Sequence, residues 1–256
     1  MTARQEWDQW RAAREASLGE EHGWLSLTGF AWLPDEPSAL PGLPGLWWAG
    51  EDGAHVRAEE QDRLVTDVGP VLGRASADVA ESGSLHWVRH DDRVVELLRR
   101  GGRLAVRTRD PQAPARLAFK GVPTWEHDPE WVRPATFTPA QEPVTVEVAT
   151  AREDLVQQAR VVGTVDVDIA GVRHRLSAVP AGDGLALLFH DATNEVTSAP
   201  WRSVATEAPD PGGNLVVDFN RAVNLPFAFS DHGTCPAPVS GNRIAVAVTA
   251  GEKRPA

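Results

Sequence analysis

The 22 glycines and 20 prolines of this 256-residue chain all lie beyond Leu18. They interrupt almost every later segment, and inside a helix each glycine costs about 1 kcal/mol and each proline about 3 kcal/mol. A single helix is therefore expected, over residues 2–18, where neither occurs. Thr2 and Gln5 form a capping pattern, Trp7, Trp10, Arg14 and Leu18 recur on one face, and Gly19 and Gly23 stop the helix.

Between the later breakers the sequence reads as strands. Residues 84–89, 93–99 and 103–109 are β-rich runs joined by His90-Asp91-Asp92 and Arg100-Gly101-Gly102, which makes a meander. Residues 143–150 and 161–169 alternate apolar and polar, and Ala170-Gly171 turns the second run into 172–179. Residues 184–190, 214–218 and 244–249 complete the set. Strands without intervening helices argue for antiparallel rather than βαβ architecture. The expected fold is mainly β, an antiparallel sandwich or barrel-like set of sheets with one N-terminal helix.

The chain is expected to divide softly into a helix over 1–22, a β half over 23–140 and a second β half over 141–256, within one compact unit. The Pro-rich stretch 33–46 reads as a linker. The stretch 111–143 holds Trp125 and Trp131 between prolines and reads as an ordered loop packed across the sheets.

A hydrophobic fraction of 42% and a charged fraction of 24% suit a folded domain. No apolar run approaches the ~20 residues of a membrane span, and the opening MTARQEWDQW lacks a signal-peptide pattern. Cys235 is the one cysteine, which excludes an internal disulfide and a cysteine-based zinc cluster. A cytoplasmic protein is expected, with no cofactor, no metal and no membrane partner. The net charge of −11 opposes nonspecific binding to nucleic acid or anionic lipid. Lys120 and Lys253 are the only lysines, an arginine bias that fits a GC-rich genome.

Several motifs have plainer explanations than chemistry. His86 and His90 would share a helix face, but on a strand they stand ~13 Å apart, too far for one metal ion. Asp166 and Asp168 are the polar side of an alternating strand, and Gly182-Asp183-Gly184 is a turn without the helix a phosphate loop needs. His232 and Cys235 could pair as base and nucleophile, yet Asp231 is adjacent to His232 and points elsewhere, and a buried, inert thiol is commoner.

The C-terminal quarter resists such explanations. Asp218, Asn220, Arg221 and Asn224 follow the strand at 214–218, Asn242 and Arg243 precede the run IAVAV, and Glu252 and Lys253 follow it. Asp218 and Glu252 are candidate general acid/base groups. Asn220, Arg221, Asn224, Asn242, Arg243 and Lys253 are candidate ligand contacts, with Arg221 and Arg243 as clamps on a small anion. Asp191 and Arg202, near the run LLFHDAT, form a second candidate piece, where turn chemistry is the plainer account.

At these residues the chain resembles a bacterial family, the domain of unknown function 1684. DFNRAVNLPFAF, TCPAP and NRIAVAVTAGEK carry the resemblance in that order, with GWLSLTGFAWL, RRGGRLAVRTRDP and LLFHDAT upstream. The resemblance implies that Asp110, Asp191, Thr193, Arg202, Asp218, Asn220, Arg221, Asn224, Cys235, Asn242, Arg243, Glu252 and Lys253 belong to a shared pattern, and it implies no activity. Where that pattern has Asn-Pro-Pro-Cys-Ala-Phe, this chain has Asn224-Leu225-Pro226-Phe227-Ala228-Phe229, which removes one cysteine and weakens thiol or metal chemistry at Cys235. Three readings stay open: an enzyme acting on a small anionic metabolite, a non-catalytic metabolite-binding or protein-interaction module, and a purely structural polar network. The oligomeric state is not indicated.

Overall fold

The computed structural model describes residues 1–255. Its one long helix, α1 (Ala3–Leu18), is capped as the sequence predicts: Thr2 N–H donates to Gln5 Oε1 (2.9 Å) and Gln5 N–H to Thr2 Oγ1 (3.3 Å). Trp7 and Leu18 are buried from the predicted face. The chain forms two compact units, Ala16–Phe119 and, from two segments, Met1–Glu15 with Lys120–Ala256. No helix among the described residues is long and apolar enough to cross a membrane.

Ala16–Phe119 contains ten strands: β1 (Leu27–Trp32), β2 (Ser38–Leu40), β3 (Leu43–Gly50), β4 (Gly53–Ala58), β5 (Leu64–Thr66), β6 (Gly69–Pro70), β7 (Gly73–Ala77), β8 (Ser84–His90), β9 (Arg93–Arg100) and β10 (Arg103–Arg109). They make a six-stranded sheet, β1-β10-β9-β8-β5-β6, and a four-stranded one, β2-β3-β4-β7. Both contribute to one apolar core, with Trp47 and Val56 from the smaller sheet and Trp87, Val95, Leu97 and Val106 from the larger. The stretch read as a linker supplies β2 and the first half of β3. Its prolines are accommodated because Pro44 offers its carbonyl to Trp47 Nε1 (2.8 Å), and Gly45 lets the chain pass where a Cβ would lie 2.8 Å from Arg57 O. A short helix, α2 (Pro114–Leu117), follows, and Arg116 Nε donates to Gly19 O (3.1 Å), tying the two ends of this unit together.

The other unit is built on a seven-stranded sheet of β11 (Val132–Ala149), β12 (Val156–Ile169), β13 (Val172–Ala181), β14 (Gly184–Phe189), β15 (Arg202–Thr206), β16 (Asn214–Asp218) and β17 (Val223–Asn224), in the order β16-β11-β12-β13-β14-β15-β17. Its core gathers Val165, Val167, Leu176, Leu187, Phe189, Val217 and Phe219. The soft division expected near residue 140 falls inside β11, where the prolines produce a register shift between Pro139 and Val144 because they lack an N–H for the ladder.

All strand ladders are antiparallel and no sheet closes on itself, so the fold is mainly β and sandwich-like rather than a barrel. One predicted strand needs correction. Residues 244–249 alternate in sequence, and Ile244 and Val248 are buried, yet the segment belongs to no ladder. Single hydrogen bonds hold it instead, Ile244 N–H to His190 O (2.8 Å) and Arg202 Nη2 to Val248 O (2.9 Å). A buried guanidinium replaces the neighbouring strand.

Candidate functional site

The C-terminal polar motif converges, but largely upon the main chain. Arg202, at the start of β15, is fully buried. Its Nη2 pairs with Asp191 Oδ2 (2.8 Å), and its Nη1 donates to the carbonyls of Ala250 (2.5 Å) and Glu252 (3.2 Å). The guanidinium lies 5.0 Å from the Trp125 ring centre and 5.5 Å from that of Phe189. Asp191 Oδ1 in turn accepts from Thr193 N–H (2.7 Å) and Val248 N–H (3.3 Å).

Glu252 is buried beside this group. Its Oε1 accepts from Arg14 Nε (3.0 Å) and its Oε2 from Asn224 N–H (2.6 Å), while Asn224 Nδ2 donates to Lys253 O (2.7 Å). Burial pushes the Glu252 carboxyl above its usual range, against the pull of Arg14. Lys253 is half-buried with Nζ 5.4 Å from the Trp125 ring centre. Arg202 Nε and Asn224 Oδ1 are buried without a hydrogen-bond partner.

Asp218 caps the turn that follows β16, accepting from Asn220 N–H (3.0 Å) and Asn220 Nδ2 (2.9 Å), and forms an ion pair with Arg221 Nε at 3.3 Å. Asn220 clasps Asp128 by main-chain bonds in both directions, each 2.9 Å, and its carbonyl accepts from Trp7 Nε1 (2.8 Å). Asn242 likewise accepts from Ser177 N–H (2.7 Å) and donates to Ser177 O and Leu188 O, both 2.9 Å. Arg243 is exposed. The structure thus joins Asp191, Arg202, Glu252, Asn224 and Lys253 in one network, while Asp218, Asn220 and Arg221 make another around the turn after β16.

A polar cavity of about 310 Å³ lies elsewhere, within Ala16–Phe119. Its floor is Glu96 of β9 between Arg107 and Arg109 of β10, and His22, Trp24, Ser84, His86 and Arg100 line its walls. Glu96 stands directly across the ladder from Arg107, and Arg109 follows two residues on, so all three project from one face. Arg107 Nη2 donates to Glu96 Oε1 (2.6 Å) and Arg109 Nε to Oε2 (2.8 Å), and Arg109 Nη1 reaches the carbonyls of His22 and Gly23 at 2.9 and 2.8 Å. Both guanidinium carbons lie 5.0 Å from the Trp24 ring centre. A bulge between His86 and Val88 interrupts β8 opposite Glu96.

Burial alone would raise the Glu96 carboxyl, but Arg107 and Arg109 outweigh it and hold it below its usual range. Burial, then the charge of Arg109, lowers the His86 imidazole. One carboxylate between two guanidiniums leaves a positive charge in excess, in a chain whose net charge is −11. Sequence reasoning missed this cluster, although a signal existed: Glu96 interrupts the apolar run VVELL, and Arg107 and Arg109 share one face of RLAVRTR. Among the described residues, no three His, Cys, Asp or Glu side chains converge to hold a metal ion.

Residues 117–253 match the family model described as protein of unknown function (DUF1684). The solution NMR structure of the uncharacterized protein from gene locus rrnAC0354 of Haloarcula marismortui is similar at 30% identity, over 54% of this chain and 78% of that one, with a TM-score of 0.45. No curated protein matches the chain.

Proposed function

Because this chain belongs to the DUF1684 family, whose description names no activity, we propose from its residues alone that it binds a small anionic metabolite. The cavity above Glu96, Arg107 and Arg109 is the site this reading favours. The observation that carries it is one carboxylate, Glu96, shared by two guanidiniums, Arg107 and Arg109, which leaves one positive charge uncompensated at the cavity. A carboxylate or phosphate oxygen is the acceptor that guanidinium geometry suits best. The lowered pKa of His86 keeps its imidazole neutral near pH 7 and able to take a proton, so acid/base chemistry is available at the cavity wall.

The second reading concerns the C-terminal motif, which we take as scaffolding. Arg202, Asn220 and Asn242 hold main-chain groups from distant segments, as a structural network would. We also infer a cytoplasmic setting in a bacterial cell, which a chain with a single cysteine, and so no internal disulfide, suits.

The test is calorimetric titration at low salt with inorganic phosphate, pyrophosphate and citrate, using the parent and Arg107→Lys. Lysine keeps one charge beside Glu96 and removes the guanidinium. Binding of one of these anions, weakened about tenfold or more in the variant, is the expected outcome. Equal affinity in both proteins, or no binding of any of the three, overturns the assignment.

A further inference from the structure

A second cavity of the Ala16–Phe119 unit, about 400 Å³, lies beside a chain of three side chains in the smaller sheet. His55 of β4 is 1% exposed and stands across the ladder from Ser76 of β7. Its Nδ1 is 2.8 Å from Ser76 Oγ, and its Nε2 is 2.8 Å from Oδ1 of Asp52, in the turn between β3 and β4. The imidazole is fixed on several sides. The Trp48 ring centre is 5.0 Å away, and at Gly50 a Cβ would lie 2.6 Å from Nε2, so only glycine leaves the ring its place. Arg74 Nη2 approaches both ring nitrogens, at 2.9 and 3.1 Å, while its Cζ lies 5.4 Å from the Trp48 ring centre.

The partners fix the tautomer. An ionised carboxylate only accepts, so Asp52 holds the proton on Nε2 and leaves the lone pair on Nδ1, which accepts from Arg74 Nε (3.3 Å) and also faces Ser76 Oγ–H. Ser76 and Arg74 line the cavity together with Val71, Leu72, Leu85 and Trp87. β7 is the edge of its sheet, so alternate N–H groups along it face no neighbouring strand.

We propose that Ser76, His55 and Asp52 form a nucleophilic acyl-transfer site that hydrolyses esters of short apolar acids. Ser76 Oγ attacks the ester carbonyl carbon, its proton passes to His55 Nδ1, and the carbonyl π pair moves onto oxygen. That oxyanion is stabilised by Arg74 and by the unpaired N–H groups of β7. Collapse re-forms the carbonyl, breaks the bond to the alkoxy oxygen, and the alcohol leaves with the proton from Nδ1. Water then attacks the acyl-serine, gives a proton to Nδ1 and expels Ser76 Oγ, which recovers that proton as the carboxylic acid departs. Asp52 keeps its negative charge throughout and orients the ring. The apolar walls select the acyl chain, and the reaction needs no oxidant, metal or cofactor.

The experiment treats the full chain with a fluorophosphonate and maps the adduct by mass spectrometry, alongside hydrolysis of p-nitrophenyl butyrate. A phosphonylated Ser76 is expected. Ser76→Ala should abolish the adduct and reduce turnover about 100-fold or more, and Asp52→Asn should reduce turnover by about tenfold or more. Ser76 and Asp52 are both exposed, so these variants keep the fold, and thermal unfolding verifies it. Absence of an adduct on the parent chain, or an equal adduct yield from Ser76→Ala, overturns the proposal.

Discussion

Arg202 and Glu252 are both buried, and their surroundings treat the two charges differently. Arg202 meets a carboxylate and three carbonyls, so its charge is compensated on most sides. Arg202→Ala would leave Asp191 buried without its ion-pair partner, and the expected loss is about 3–5 kcal/mol in a denaturant titration. A loss below 1 kcal/mol would show that the network is dispensable. Glu252 has Arg14 as its ion-pair partner, and burial dominates. Its folded pKa is raised, so between the usual carboxylate value and that raised value the folded state binds more protons than the unfolded one. Stability therefore falls as pH rises through this window. Glu96 has the opposite sign: its lowered pKa gives stability that is present above the usual carboxylate value and lost as pH falls through the folded value. Glu252→Gln should remove the decline with rising pH and leave the acid limb, which denaturation midpoints measured from pH 3 to 8 would reveal. Glu252 was visible in sequence because a charged residue stood where no turn needed it, whereas Asp191 and Arg202 looked like turn chemistry and Glu96 was missed. What stayed hidden was their partners, since a carbonyl 50 residues away leaves no mark on the residue that binds it.

Strands with turn residues at both ends were readable almost to the residue, as β10 and β16 show, because alternation and flanking turns agree there. β3 and the 244–249 segment failed in opposite directions. Prolines disguised the first, while the second has strand-like alternation without a strand beside it. The second segment leads into Gly251, whose φ of +78° is unfavourable for any side chain, and a Cβ there would collide with Ala222 O. This glycine lets Glu252 N–H reach Ala222 O (2.8 Å) and so sets the position of the Glu252 carboxylate. Gly251→Ala should cost about 1–3 kcal/mol or more, and it should also disturb the pH dependence attributed to Glu252. A normal melting temperature in that variant would mean the segment relaxes without strain.

The chain divides at residues 15/16 and 119/120, where the sequence had suggested soft halves meeting near residue 140. One unit is continuous in sequence, holds its own apolar core, and contains both the Arg107 cavity and the Ser76 constellation. The other carries the family match and the dense polar motif. Because Arg116 ties the end of Ala16–Phe119 to its beginning, that segment has the topology of an insertion whose termini lie close together. A chain of about 100 residues with such a core is large enough to fold alone. Residues 16–119 expressed separately should therefore unfold in one cooperative transition, with a calorimetric enthalpy of about 60–80 kcal/mol. Phosphate, pyrophosphate or citrate should raise its midpoint if the cavity takes an anion, by the same linkage that couples any ligand to the folded state. A broad transition without a heat-absorption peak would show instead that the insertion depends on the rest of the chain, and the cavity would then have to be studied only in the full-length protein.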